Sequence, residues 1–130
     1  MQINFQQLNA LKTSLEKLQP LSLSFKTKYQ LTKLATSLDK NLEFYQNSFR
    51  QIIEDYAEKD ENGEIKFVDE NKQQISIPQE KIKECNEKFA SLSEVQYDMP
   101  DIELDENCFN DLEVDLTYAE IDAISLFFKN

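Results

Sequence analysis

Two stretches of this chain carry enough closely spaced oxygens to do chemistry. The first is EKDENGEIKFVD, residues 58–69, which also holds the chain's one glycine, Gly63. Acidic or amide oxygens at the first, third and fifth positions, glycine at the sixth and a bidentate Glu at the twelfth make a calcium loop between two helices. Against that template Glu58 stands first, Asp60 third, Asn62 fifth, Gly63 sixth, the apolar Ile65 eighth and Asp69 twelfth. The fit fails on reach and charge. Glu58 is too long for its position, Asp69 too short for its own, and Lys66 brings a positive charge to the ninth place. The residues after Gly63 also alternate as a strand does, where the template needs a helix. Asn and Gly tolerate the left-handed backbone of a tight turn, so the expectation is a turn. No metal site and no cofactor are expected.

The second stretch is a ladder of carboxylates. Residues 94–122 hold eleven acids and no Lys or Arg, while the rest of the chain balances at fourteen against fourteen, leaving a net charge of −11. Val95, Tyr97, Met99, Ile102, Leu104, Leu112, Val114 and Leu116 are interleaved with these acids, which a solvating acidic tail has no reason to show. The segment is therefore expected to be ordered. Its candidate interaction surface is Asp98, Asp101, Glu103, Asp105, Glu106, Asp111, Glu113 and Asp115. Two readings stay open. The segment could lie across Lys12, Lys17, Lys26, Lys28, Lys33 and Lys40, which residues 1–42 carry against only Glu16 and Asp39. Or the acids could face solvent and meet a basic partner. Carboxylates on every second residue of an extended chain recur at roughly 6.6 Å, close to the phosphate spacing along one DNA strand. That is the geometry of a nucleic-acid mimic.

Other chemistry is disfavoured by composition. Without histidine, zinc and haem sites lose their usual ligand, and Ser-His or Cys-His nucleophiles cannot be built. Cys85 and Cys108 form no CxxC and are read as free thiols. No Gly-rich loop or singular carboxylate pair appears, so the chain is not read as an enzyme. A basic patch interleaved with aromatics is absent beyond the few lysines, which argues against direct nucleic-acid binding. No apolar run approaches the roughly 20 residues of a membrane span, and the first residues lack the basic head and apolar core of a secretion signal. The expected location is the cytoplasm.

The elements that must position these residues follow from apolar spacing. Phe5, Leu8, Leu11, Leu15 and Leu18 stripe a helix over 4–19, opened by Asn4 with Gln7 and closed by Pro20. Leu31, Ala35, Leu38, Leu42, Tyr45, Phe49, Ile52 and Tyr56 alternate by fours and threes, predicting a long helix over 23–58 with a coiled-coil-like seam. At 1.5 Å per residue it would run roughly 50 Å, long enough for part of the seam to serve a homodimer. A short hairpin is expected over 64–77, a helix over 78–92, extended chain over 94–116, and a last helix over 118–128 opened by the Thr117–Glu120 capping box. At 130 residues this is one domain of α+β class, mainly α.

The order of these features, INFQQLNALKTSLEKL, then KYQLTKLATSLDKNLEFYQ running into IEDYAEKDENGEI, a hairpin, IPQEKIKECNEKFASLSEVQYDMPDIEL and a closing LTYAEIDAISLFF, resembles a family of small acidic proteins encoded by phages and prophages of Gram-positive bacteria. The resemblance spans nearly the whole chain and rests on helix stripes and the turn, not on a catalytic motif. It implies only a context, a virus-encoded accessory or assembly protein acting inside the host cell; the chain itself is read as an interaction protein with a protein partner. The resemblance implies no activity.

Overall fold

Leu8, Leu11, Leu15 and Leu18, spaced by threes and fours, put four side chains on one side of a helix, and all four are at most 2% exposed in the computed structural model. That model describes residues 1–69, 71, 74–110 and 113–129. The elements in chain order are β1 (Gln2–Ile3), α1 (Phe5–Leu18), α2 (Phe25–Tyr56), a 3-10 turn (Gln79–Lys81), α3 (Ile82–Ser93), β2 (Tyr97–Asp98), a second 3-10 turn (Glu106–Phe109) and α4 (Tyr118–Ser125). The fold is α+β and mainly helical, with one long helix and a two-stranded antiparallel ribbon.

Both capping boxes close as their sequences require. Asn4 Oδ1 accepts from the Gln7 backbone N–H at 2.8 Å and Gln7 Oε1 accepts from the Asn4 N–H at 2.9 Å. Thr117 and Glu120 repeat the arrangement at the start of α4. Each box satisfies two of the backbone donors that a helix start leaves open. At α2 only half of this arrangement forms: Ser24 Oγ accepts from the Thr27 N–H at 3.3 Å.

The chain divides into two compact units, residues 1–43 with 95–130, and residues 44–94. In the first, α1 packs against α4. Leu31, Leu34 and Leu38 from α2, Tyr97, Met99 and Leu104 from the acidic segment, and Ala123, Ile124 and Phe127 complete a core of buried side chains. Each large apolar side chain so buried contributes about 1.5–3 kcal/mol. Gln2 pairs with Asp98 and Ile3 with Tyr97 in the antiparallel ribbon. Nothing in the residue pattern marks this pairing beforehand, since two residues are too few to show alternation.

The second unit has a thin core. Among its described residues Cys85 and Leu92 are the buried apolar side chains, and Phe89 meets Phe49 with ring centroids 5.1 Å apart. The expected hairpin takes the form of isolated antiparallel bridges, Phe67 to Ile75 and Lys59 to Ile65, tied by Val68 N–H to the Gln74 carbonyl and Ser76 N–H to the Lys66 carbonyl. Glu70, Lys72 and Gln73 lie outside the described residues.

The seam of α2 changes character along its length. Leu31, Leu34, Leu38 and Leu42 are buried, whereas Tyr45, Ile52 and Tyr56 are half-buried and Phe44 and Phe49 exposed. Several boundaries differ from the periodicity. α1 is one residue shorter at each end, and α2 starts two residues later and ends two earlier than expected. The helix expected over 78–92 is a 3-10 turn followed by α3 (Ile82–Ser93), α4 is shorter, and the extended acidic segment carries a 3-10 turn at Glu106–Phe109. Asp105 causes that turn: its Oδ1 accepts from the Asn107 N–H at 2.9 Å, the local bond by which short acidic side chains pull a strand into a turn.

Candidate functional site

The stretch that resembled a calcium loop folds as a turn. Asp60 Oδ1 accepts from the backbone N–H groups of Asn62 at 2.9 Å and Glu64 at 3.0 Å, so this carboxylate oxygen is engaged by its own loop. Gly63 closes the turn with φ +80°, a conformation that side-chain-bearing residues rarely adopt, and donates to the Asp60 carbonyl at 3.0 Å. Asp69, the would-be last ligand, accepts from the Gln74 N–H at 3.1 Å. Among the described residues no group of three Cys, Asp or Glu side chains stands in a metal-binding arrangement.

Among the described residues of the acidic segment, the alternation sorts as the pleat of an extended chain demands. Tyr97, Met99 and Leu104 are buried, and Val95, Ile102, Val114 and Leu116 half-buried. Asp98, Asp101, Glu103, Asp105, Glu106, Glu113 and Asp115 are all exposed. Asp111, with Leu112, lies outside the described residues. The backbone holds the segment down. The Asp98 carbonyl accepts from Asn41 Nδ2 at 2.9 Å, the Glu103 carbonyl from Gln30 Nε2 at 2.9 Å, and the Asp115 carbonyl from Lys17 Nζ at 3.0 Å. Leu104 is bracketed by the closing turn: its N–H donates to the Phe127 carbonyl and its carbonyl accepts from the Lys129 N–H.

The segment thus lies along α1 and α2, but the lysines do not neutralise its acids. Among the described residues two acids of this segment form ion pairs. Asp101 Oδ1 meets the N-terminal ammonium at 3.3 Å, and Glu120 Oε1 meets Lys17 Nζ at 2.6 Å. Asp98 accepts from Gln2 Nε2 at 3.0 Å. The remaining described carboxylates of the segment are exposed, beside apolar side chains that are buried or half-buried.

Glu120 is the exception. It is 3% exposed, and its carboxyl is held down to about 2, first by the hydrogen bond from Lys17 and then by the Thr117 backbone N–H. Ser14 Oγ, also buried, donates to the Glu120 carbonyl at 3.0 Å. Sequence reasoning assigned Glu120 a capping role and missed the Lys17 partner, 103 residues away. Only packing of α1 on α4 brings the two together.

The thiols differ in setting. Cys85 is buried, and burial pushes its pKa up, which keeps it protonated and unreactive. Cys108 Sγ lies 3.1 Å from Thr27 Oγ1, beside a cleft of about 260 Å³ bordered by Lys26, Glu103 and Lys129. Among the described residues no helix is long and apolar enough to cross a membrane.

No family model, curated protein or solved structure matches this chain.

Proposed function

We propose that this chain is a non-enzymatic accessory or assembly protein of a phage or prophage, working in the bacterial cytoplasm through contacts with another protein. The observation that carries the reading is the acidic face. Seven exposed candidate carboxylates stand on a segment whose described apolar side chains are buried or half-buried and whose backbone is tied to α1 and α2. Charge fixed in place at no further ordering cost suits recognition of a basic surface. The phage context rests on the order of sequence features.

A second reading is an inhibitor that mimics nucleic acid. It is favoured by the exposed run Asp101, Glu103 and Asp105, which places carboxylates on every second residue, at roughly phosphate spacing. Both readings need the acids free of the chain's own lysines, as most of them are. Capture from bacterial lysate on the immobilised full chain tests them. A virion or assembly protein retained by the wild type and lost with Asp101→Lys, Glu103→Lys and Asp105→Lys together supports the first. Retention of DNA-binding proteins that elute with salt supports the second. Equal retention by wild type and triple variant would remove the acidic face from both.

A further inference from the structure

The fold leaves a second face open, of opposite sign. At about 100° per residue, Phe25, Tyr29, Thr36 and Lys40 fall on the side of α2 turned away from the buried Thr27, Leu31, Leu34 and Leu38, with Lys26 and Lys33 at its edge. Phe25 is 84% exposed and Tyr29 55%, their rings stacked at 6.4 Å, and Lys33 Nζ sits 5.0 Å from the Tyr29 ring centroid. Between Leu21 and Leu38 the chain carries Lys26, Lys28 and Lys33 and no acid. None of these lysines forms an ion pair among the described residues. The periodicity of the α2 seam could not expose this patch, because it looks only at the buried side of the helix.

An aromatic pair rimmed by lysines suits an occupant that is apolar at its centre and acidic around it. This chain offers one. Tyr118 opens α4 at 89% exposure with Ile121 45% exposed one turn on, and the exposed acids Glu113, Asp115 and Asp122 flank them in the chain. We propose that the Phe25–Tyr29 patch of one copy docks on the acidic, Tyr118-bearing face of a second copy. The inference rests on the interaction reading above and names a partner for the end of the acidic segment that leads into α4. The net charge of −11 repels copies at long range. At physiological salt that repulsion is screened beyond about 8 Å, whereas lysine and carboxylate in contact sit well inside that distance. Burial of the aromatic rings adds the apolar contribution.

Sedimentation of the full-length chain at physiological salt tests the proposal, up to about 1 mM so that a weak complex is seen. The wild type is expected to associate reversibly. The variant Lys28→Glu with Lys33→Glu, and separately the variant Asp115→Lys with Tyr118→Ser, should each weaken association about tenfold or more. All four side chains are exposed, and circular dichroism confirms that the helices persist. The decisive result is complementation. The first variant keeps the acidic face and the second the basic one, so their mixture should form a one-to-one complex that neither forms alone. A wild type that stays monomeric overturns the proposal. So does an association that survives in both variants, which would place the contact elsewhere, as on the half-buried end of the α2 seam. Lysate capture through the acidic face by a monomeric chain would overturn this inference and leave the proposed function standing.

Discussion

Lys17 Nζ stands 2.6 Å from Glu120 Oε1, joining the last turn of α1 to the capping box of α4. The lysine side chain is 40% exposed and the glutamate 4%, so the two ends of the pair are not equivalent. Water can replace Glu120 around the ammonium but cannot easily replace Lys17 around the carboxylate. Removing the lysine is therefore the harsher change. Lys17→Met is expected to cost about 1–3 kcal/mol, the penalty for a buried acceptor deprived of a charged donor, and Glu120→Gln less, since the amide oxygen can still accept from Thr117. Urea denaturation of both variants checks the order. An equal loss in the two would mean that the carboxylate is not buried as described.

The same pair sets an acid limit. Folding holds the Glu120 carboxyl down to about 2 against an ordinary 4.5, so the native state binds this proton less readily than the unfolded chain. Its contribution to stability is present in full above the unfolded value and is lost as pH falls from about 4.5 through about 2. The midpoint of thermal unfolding should drop across that window. The drop should be smaller in Glu120→Gln, which has no proton to bind.

Along α2 the two halves of the seam should respond differently. Leu34 is fully buried, and Leu34→Ala is expected to cost about 2–5 kcal/mol through lost burial and the cavity left behind. Phe44 is 53% exposed, and Phe44→Ala is expected to cost less than Leu34→Ala, since about half of its surface already meets water. Thermal melts of the two variants give the comparison. A loss at Phe44 as large as that at Leu34 would mean that the distal seam is buried as deeply as the proximal one.

Backbone ties predict that the acidic segment resists proteases despite its exposed charges. A protease must lift several residues into its cleft, and Leu104, at 0% exposure and bonded on both sides to the closing turn, anchors the centre. Limited digestion should leave the chain uncut between Met99 and Asn110 in the wild type. Leu104→Asp, which places a charge in the core, should open that stretch to rapid cleavage.

Local pattern made a large part of this fold legible in the sequence. The stripe of α1, the seam of α2 and both capping boxes depend on residues three and four apart, which share a helix face in any context. The turn around Gly63 is equally local, because its conformation and the Asp60 bonds lie within five residues. Alternation in the acidic segment correctly separated buried apolar side chains from exposed acids, since opposite faces of an extended chain follow from its geometry alone.

Tertiary structure decided what lies against those faces. The sequence left open whether the lysines would cover the acids. Packing ties the segment down through its carbonyls and pairs Lys17 with the Glu120 carboxylate, so that charge count and charge pairing came apart. It also joined Gln2–Ile3 to Tyr97–Asp98 and set Leu104 beside Phe128. Both contacts are too short to carry a period and too distant in the chain for local pattern to see. Periodicity reports which side of an element is apolar. Which apolar sides meet depends on chain connectivity and on how well they fit, and that is fixed only when the elements close on one another.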